Sequence, residues 1–154
     1  MKKKTAKQII YFIVSLAALI ALCSYIFSLS AETAEVSSET SEGVIAFIEK
    51  LFGYAFSQDT IRTAAHFCEY ALLGFLVINA FFSYSYKIRY ILSPLLAWGY
   101  AWTDEIHQLF VEGRAFQFTD LAVDLGGIIL GCIAFAVLVA IIRKIISKKE
   151  KKAG

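Results

Sequence analysis

The chain has 154 residues, of which 58% are hydrophobic and only 18% charged, with a formal net charge of +2. Soluble domains sit nearer half apolar with about a quarter of their residues charged, so this composition excludes an ordinary water-soluble fold and places one domain in lipid. No nucleic-acid partner is expected.

Residues 1–8 form a basic N-terminus carrying Lys2, Lys3, Lys4 and Lys7. The apolar run 9–29 that follows exceeds the 7–15 residues of a signal-peptide core and fits the roughly 20 residues of a spanning helix. It is read as a retained anchor, with cleavage around Leu29-Ser30-Ala31 as the alternative. An outer loop, 30–63, comes next. Its first part, Ser30 to Gly43, is rich in Ser, Thr and Glu and reads as a solvated, mobile linker. Within 44–56, Val44, Ile45, Phe47, Ile48, Leu51, Phe52 and Ala55 recur at helical spacing. That pattern predicts a short amphipathic helix, lying either on the membrane surface or over the mouth of the bundle. Asp59 or Thr60 is the expected cap of the next helix.

Further apolar runs at 64–82, 90–110 and 121–142 each approach the length a bilayer demands. In the third run overall, Ser93-Pro94 reads as a cap followed by proline at the first helical position, or as a kink in a longer helix. Residues 143–154 form a basic tail. Cys23, Cys68 and Cys132 each lie in an apolar run without CxxC or Cys/His ligand spacing, which argues against a disulfide framework and reads as apolar filler. The expected fold is all-α, an integral membrane bundle of four transmembrane helices.

Charge sets the expected orientation. Lys2, Lys3, Lys4, Lys7, Lys87, Arg89, Arg143, Lys144, Lys148, Lys149, Lys151 and Lys152 fall on one side, leaving Lys50, Arg62 and Arg114 on the other. The basic-rich side is cytoplasmic by the positive-inside rule, so both termini are predicted inside.

Polar residues within apolar runs are costly in lipid and therefore informative. His66, Glu69 and Tyr70 share a broad helical face that Arg62 can reach. Ala97, Ala101, Asp104 and Gln108 form a second stripe, whose small residues predict that it faces the bundle. Glu105 falls on the side of Trp98 and Trp102, which read as interfacial anchors, and His107 lies with Thr103. Asp120, Asp124, Gly127 and Gly131 form a third stripe. Its GxxxG pair marks a close-packed face and turns both carboxylates inward. Asp120 is alternatively an N-cap. In the turn Val111-Glu112-Gly113-Arg114, the Arg114 guanidinium is placed to bind Asp104 or Asp120, to hold a substrate anion, or to clasp helices together. The candidate cluster is His66, Glu69, Tyr70, Asp104, Glu105, Gln108, Arg114, Asp120 and Asp124. No zinc spacing such as HExxH is present and no metal site is assigned, while catalysis and cofactors are left open. In an enzymatic version, two carboxylates hold a divalent metal or share acid–base roles while Arg114 clamps a phosphate.

Arg62-x-x-x-His66-Phe67-x-x-Tyr70-x-x-Leu73-Gly74 and Asp104-Glu105-x-x-Gln108-x-Phe110-x-x-Gly113-Arg114, followed by Asp120 and Gly127-x-x-x-Gly131, resemble the VanZ-like family of small bacterial membrane proteins. Similarity runs along nearly the whole chain. The sequence departs from the family pattern at Glu112, where proline is common, and at Asp124, where asparagine is common. The resemblance implies a bacterial plasma-membrane protein that contributes to resistance against teicoplanin-type glycopeptides. Its expected partners are membrane lipids and a lipid-linked cell-wall precursor or glycopeptide at the outer leaflet. A purely structural partner protein and a small transporter are the competing readings.

Overall fold

The computed structural model describes residues 5–153, so Lys2, Lys3 and Lys4 lie outside the described residues. Five α-helices make up the described chain: α1 (Ala6–Ser30), α2 (Ala34–Phe52), α3 (Gln58–Ser85), α4 (Leu92–Gln108) and α5 (Phe118–Ala153). Three of them, α1, α3 and α5, are long and apolar enough to cross a membrane. In the most apolar stretch of α1 only 11% of residues are buried, so its Ile, Leu and Val side chains need an apolar solvent. That surface belongs to a membrane protein. At 17 residues, α4 is shorter than the other three.

The bundle is built on α3 and α5. A Cβ added to Gly131 would lie 2.8 Å from the Phe75 nitrogen and closer still to the Ala71 carbonyl. At Gly127 it would meet Phe67 and Ala71, and at Gly74 it would lie 2.9 Å from the Ile128 Cα. Glycine is required at these positions because the two backbones touch. The GxxxG stripe therefore packs as expected, with Gly74 answering it from α3. Phe75 and Phe135 meet edge-on at 5.2 Å farther along. Partners on α3 and α5 advance together in residue number, so the two helices run parallel. By contrast, α1 runs antiparallel to α3. Gln8 donates to the Tyr84 carbonyl at 3.1 Å, Asn79 donates to Ser15 at 3.1 Å, and the Tyr11 hydroxyl bonds Asn79. On α4, the Tyr100 hydroxyl donates to the Cys23 carbonyl at 2.6 Å, fixing α1 against it.

Several boundaries differ from the expectations, for local reasons. The supposed linker 30–43 is helical from Ala34 onward. Thr33 caps it by accepting the Val36 N–H, and Ser38, Thr40 and Ser41 bond back to carbonyls four residues earlier. Hydroxyls that composition assigns to solvent are thus satisfied within the helix. The amphipathic segment predicted over 44–56 is the second half of this longer helix, which stops at Phe52 because Gly53 takes φ 69° as its C-cap.

Ser57 caps α3, in place of Asp59 or Thr60. Ser93 lies inside α4 and does not cap it; Pro94 is the third helical residue, where a missing N–H costs nothing. The basic tail 143–154 continues α5 as helix to Ala153, with Arg143 donating to the Tyr86 carbonyl and lying 5.7 Å over the Phe82 ring. Of the cysteines, Cys132 is buried, Cys23 half-buried, and Cys68 exposed on α3.

The backbone contact predicts a contrast between glycines. Gly131→Leu is expected to destabilise the protein by more than about 2 kcal/mol through overpacking. Gly99→Ala, where a Cβ meets nothing within 4 Å, is expected to be neutral or stabilising by up to about 1 kcal/mol. Thermal unfolding of the two variants in detergent micelles checks the difference.

Candidate functional site

The polar residues gather at the end of the bundle where α1 and α4 finish, α3 and α5 begin, and α2 lies across. Parallel packing of α3 on α5 puts His66 beside Asp124, with Nδ1 and Oδ1 3.3 Å apart. Asp124 is fully buried and its second oxygen has no hydrogen-bond partner. From α4, Asp104 and Gln108 enter the same region at 5% and 2% exposure, as their stripe predicted. The Tyr70 ring stacks on the His66 imidazole at 6.3 Å between centroids. Its buried hydroxyl lies close to the Asp104 carboxyl without meeting hydrogen-bond geometry.

Glu105 lies on the side of Trp98 and Trp102, as its spacing requires, and that side is covered rather than facing the interface. The residue is fully buried; one carboxylate oxygen accepts the Gln117 N–H at 2.9 Å and the other has no partner. That bond ties Glu105 to the segment between α4 and α5, where Phe116 packs at 5.9 Å from Trp102; Phe118, the first residue of α5, lies 6.5 Å from Trp102. Those rings turn Trp98 and Trp102 into half-buried core neighbours instead of free interfacial anchors. Nothing in the helical spacing of α4 signals this cover. Asp120 sits in the first turn of α5, half-buried, accepting from Thr119 at 3.4 Å. Its place suits the positive end of a helix dipole, although it is not the residue that caps the helix. His107 lies apart from the cluster, against Ser30 and Phe27.

Arg114 acts as a clasp. Its Nε donates to the Glu32 carbonyl at 3.1 Å and its Nη2 to the Leu29 carbonyl at 3.4 Å, so it satisfies the carbonyl end of α1. It makes no ion pair with Asp104 or Asp120 among the described residues. The turn that carries it closes through the Arg114 N–H and the Val111 carbonyl. Gly113 adopts φ 74° there, and a Cβ would lie 2.9 Å from that of Ala34. The Ala34 N–H in turn donates to the Glu112 carbonyl at 3.2 Å. Gly113-Arg114 therefore docks the start of α2 and the end of α1 together. Burial lowers the Arg114 pKa, and the neighbouring charge on Arg62 lowers it further.

A cavity of about 230 Å³ opens above the cluster. Its walls include Arg62, His66, Glu69, Asp104, Gln108 and Arg114, with Ser37, Thr40 and Ser41 of α2 as the roof. About one helical turn farther along α1, α3 and α4 lies an apolar groove of about 450 Å³, bounded by Leu19, Cys23, Leu73, Val77, Leu96 and Tyr100 among others. Below the cluster the buried polar residues among those described are neutral, Ser15, Ser83 and Ser93. Leu73, Val77 and Ile78 are buried below the cluster, and Asn79 is engaged by Tyr11 and Ser15.

These features define a small all-helical membrane protein with a buried carboxylate–imidazole cluster beneath a polar cavity. The model of the VanZ/LLP1 family matches residues 12–141, and the chain belongs to that family. No curated protein and no solved structure matches it.

Removing the clasp is expected to loosen the cavity roof. Arg114→Ala deletes two charge-assisted hydrogen bonds, at a cost of about 1.5 kcal/mol, and should speed amide exchange across Ala34–Ser41. Exchange unchanged from the native protein would show that α2 is held by other contacts.

Proposed function

We propose that this VanZ/LLP1 protein crosses the bacterial plasma membrane four times with both termini cytoplasmic. In that place it binds a lipid-linked or glycopeptide ligand at the outer leaflet and contributes to tolerance of teicoplanin-type antibiotics. Charge supports the orientation, because twelve named basic residues and Glu150 lie on one side and the remaining acidic residues on the other. Chain direction supports the fourth crossing. Since α3 and α5 run parallel, the chain must return between them, and α4 is the helix available. Its 17 residues span ~25 Å, close to the hydrocarbon thickness of roughly 30 Å.

The observation that carries the ligand reading is the stacking of the polar cavity over the apolar groove between the same helices. An amphiphile has that division of character. Arg62 and Arg114, close enough for one charge to act on the other, suit a phosphate or carboxylate headgroup. The three faces of α2 fit a place in the headgroup boundary. Ser37 and Ser41 face the cavity, Val36, Val44, Phe47 and Leu51 are exposed as an apolar stripe, and Glu35, Glu39, Glu42 and Glu49 line the far edge. Transport fits poorly, because among the described residues no charged side chain is buried below the cluster.

Expression in a teicoplanin-susceptible bacterium tests the reading. Alanine at Asp104, Glu105 or Asp120, with membrane levels preserved, is expected to abolish the gain in tolerance. Arg62→Ala should weaken binding of an anionic lipid extract to the purified protein by about tenfold, the worth of one charge-assisted contact. Unchanged tolerance at unchanged expression would sink the proposal. Loss of the fold in every cluster variant would favour the structural role suggested by the Arg114 clasp.

A further inference from the structure

The deepest part of the cluster has more carboxylate than the protein neutralises. His66, Glu105 and Asp124 come from three different helices, yet each offers a ligand atom within 4.8 Å of the other two. Glu105 and Asp124 are both fully buried, and each keeps one oxygen without a partner. Asp104, 5% exposed, has an unpartnered oxygen as well. Their electrostatic neighbours include further acids, Asp120 near Glu105 and Glu69 near Asp104 and Asp124. Of the two arginines on the cavity wall, Arg62 makes no ion pair with these acids among the described residues, and Arg114 spends its guanidinium on the Leu29 and Glu32 carbonyls. Among the described residues, the one ion pair these acids make is that of Asp124 with His66. A buried carboxylate keeps its charge only beside a paired charge or a metal, and the geometry here leaves a place for one.

We propose that His66, Glu105 and Asp124 bind a divalent first-row transition ion, zinc being the best match to their donors. An imidazole nitrogen beside two carboxylate oxygens offers donor types that zinc accepts, in a number that leaves coordination positions open. Magnesium and calcium favour oxygen ligands throughout. The 3.3 Å between His66 Nδ1 and Asp124 Oδ1 already equals a tetrahedral edge, roughly 3.4 Å for metal–ligand bonds of about 2.1 Å. Only Glu105 has to approach, through the oxygen that no other group holds. Because His66 also lines the cavity, the remaining coordination positions open toward it and are available to water or to a ligand oxygen. Ligands from α3, α4 and α5 leave no short sequence spacing, which is why a search for zinc motifs finds none. The proposal goes beyond the functional reading and does not depend on it.

The test uses full-length, tag-free protein in detergent, stripped with a chelator and dialysed separately against zinc, manganese, magnesium and calcium. Elemental analysis of the native protein should then find about one zinc per chain, and cobalt in its place should give the visible d–d absorption of a low-coordinate site. His66→Ala and Asp124→Asn should each weaken zinc binding by at least about tenfold. His107→Ala removes the other histidine of the chain and should change nothing. Glu105→Gln, which keeps the shape of the side chain, provides the ligand variant if the others fail to fold. Native protein retaining less than roughly 0.1 ion per chain overturns the proposal. So does binding confined to magnesium or calcium, or zinc binding that survives in folded Glu105→Gln and His66→Ala alike. Antibiotic tolerance is not among the readouts, so this result and the ligand reading fail or stand separately.

Discussion

Close contact between two helix backbones is the constraint on which the rest of this molecule depends. Gly74, Gly127 and Gly131 let α3 and α5 approach until peptide groups of one meet those of the other. In a bilayer no hydrophobic force separates helices from lipid, so packing of this kind holds them together. Once those two helices lie parallel and touching, their polar ends must also be neighbours, which is how His66 comes to face Asp124. The same pairing requires the chain to double back through α4, which brings Asp104, Glu105 and Gln108 to the same end. One steric fact thus collects acids from three helices.

That collection runs against ordinary stability. A carboxylate moved from water into a protein interior pays several kcal/mol even after relaxation, and here Glu105 and Asp124 are both fully buried. A bundle selected for stability alone would fill those positions with leucine or alanine, as it does one turn below at Leu73 and Ala101. At the opposite end of α3, Asn79 shows what a merely structural polar residue looks like, since its amide and carbonyl groups both have partners. A satisfied Asn79 contrasts with the unpartnered oxygens of Asp104, Glu105 and Asp124.

Sequence spacing revealed those features that belong to a single helix. The four apolar runs, the inward stripe of Asp104 and Gln108, and the line from Asp124 through Gly131 all follow from a 3.6-residue period. Features made by separate segments were not legible. Glu105 is held by the Gln117 N–H and Trp102 meets Phe116, contacts with the α4–α5 connection that no wheel drawn for α4 contains. The Ser-rich stretch after α1 resembles a solvated linker until Gly113 and Glu112, some 80 residues away, supply its docking surface. Arg114 had carboxylates within plausible reach, yet the backbone carbonyls of Leu29 and Glu32 claimed it. Helix ends compete for cations as acids do, and sequence distance hides that competition.

The length of α5 has a mechanical consequence. Its 36 residues make a rod of ~54 Å, with no proline to bend it. Asp124, in the floor of the site, and Lys151, near the far end, therefore belong to one stiff body. A tilt that makes room for a guest at one end is carried to the other with no joint to absorb it. A lever of this kind lets events at one face of the bundle be felt, as displacement of charge, at the opposite one.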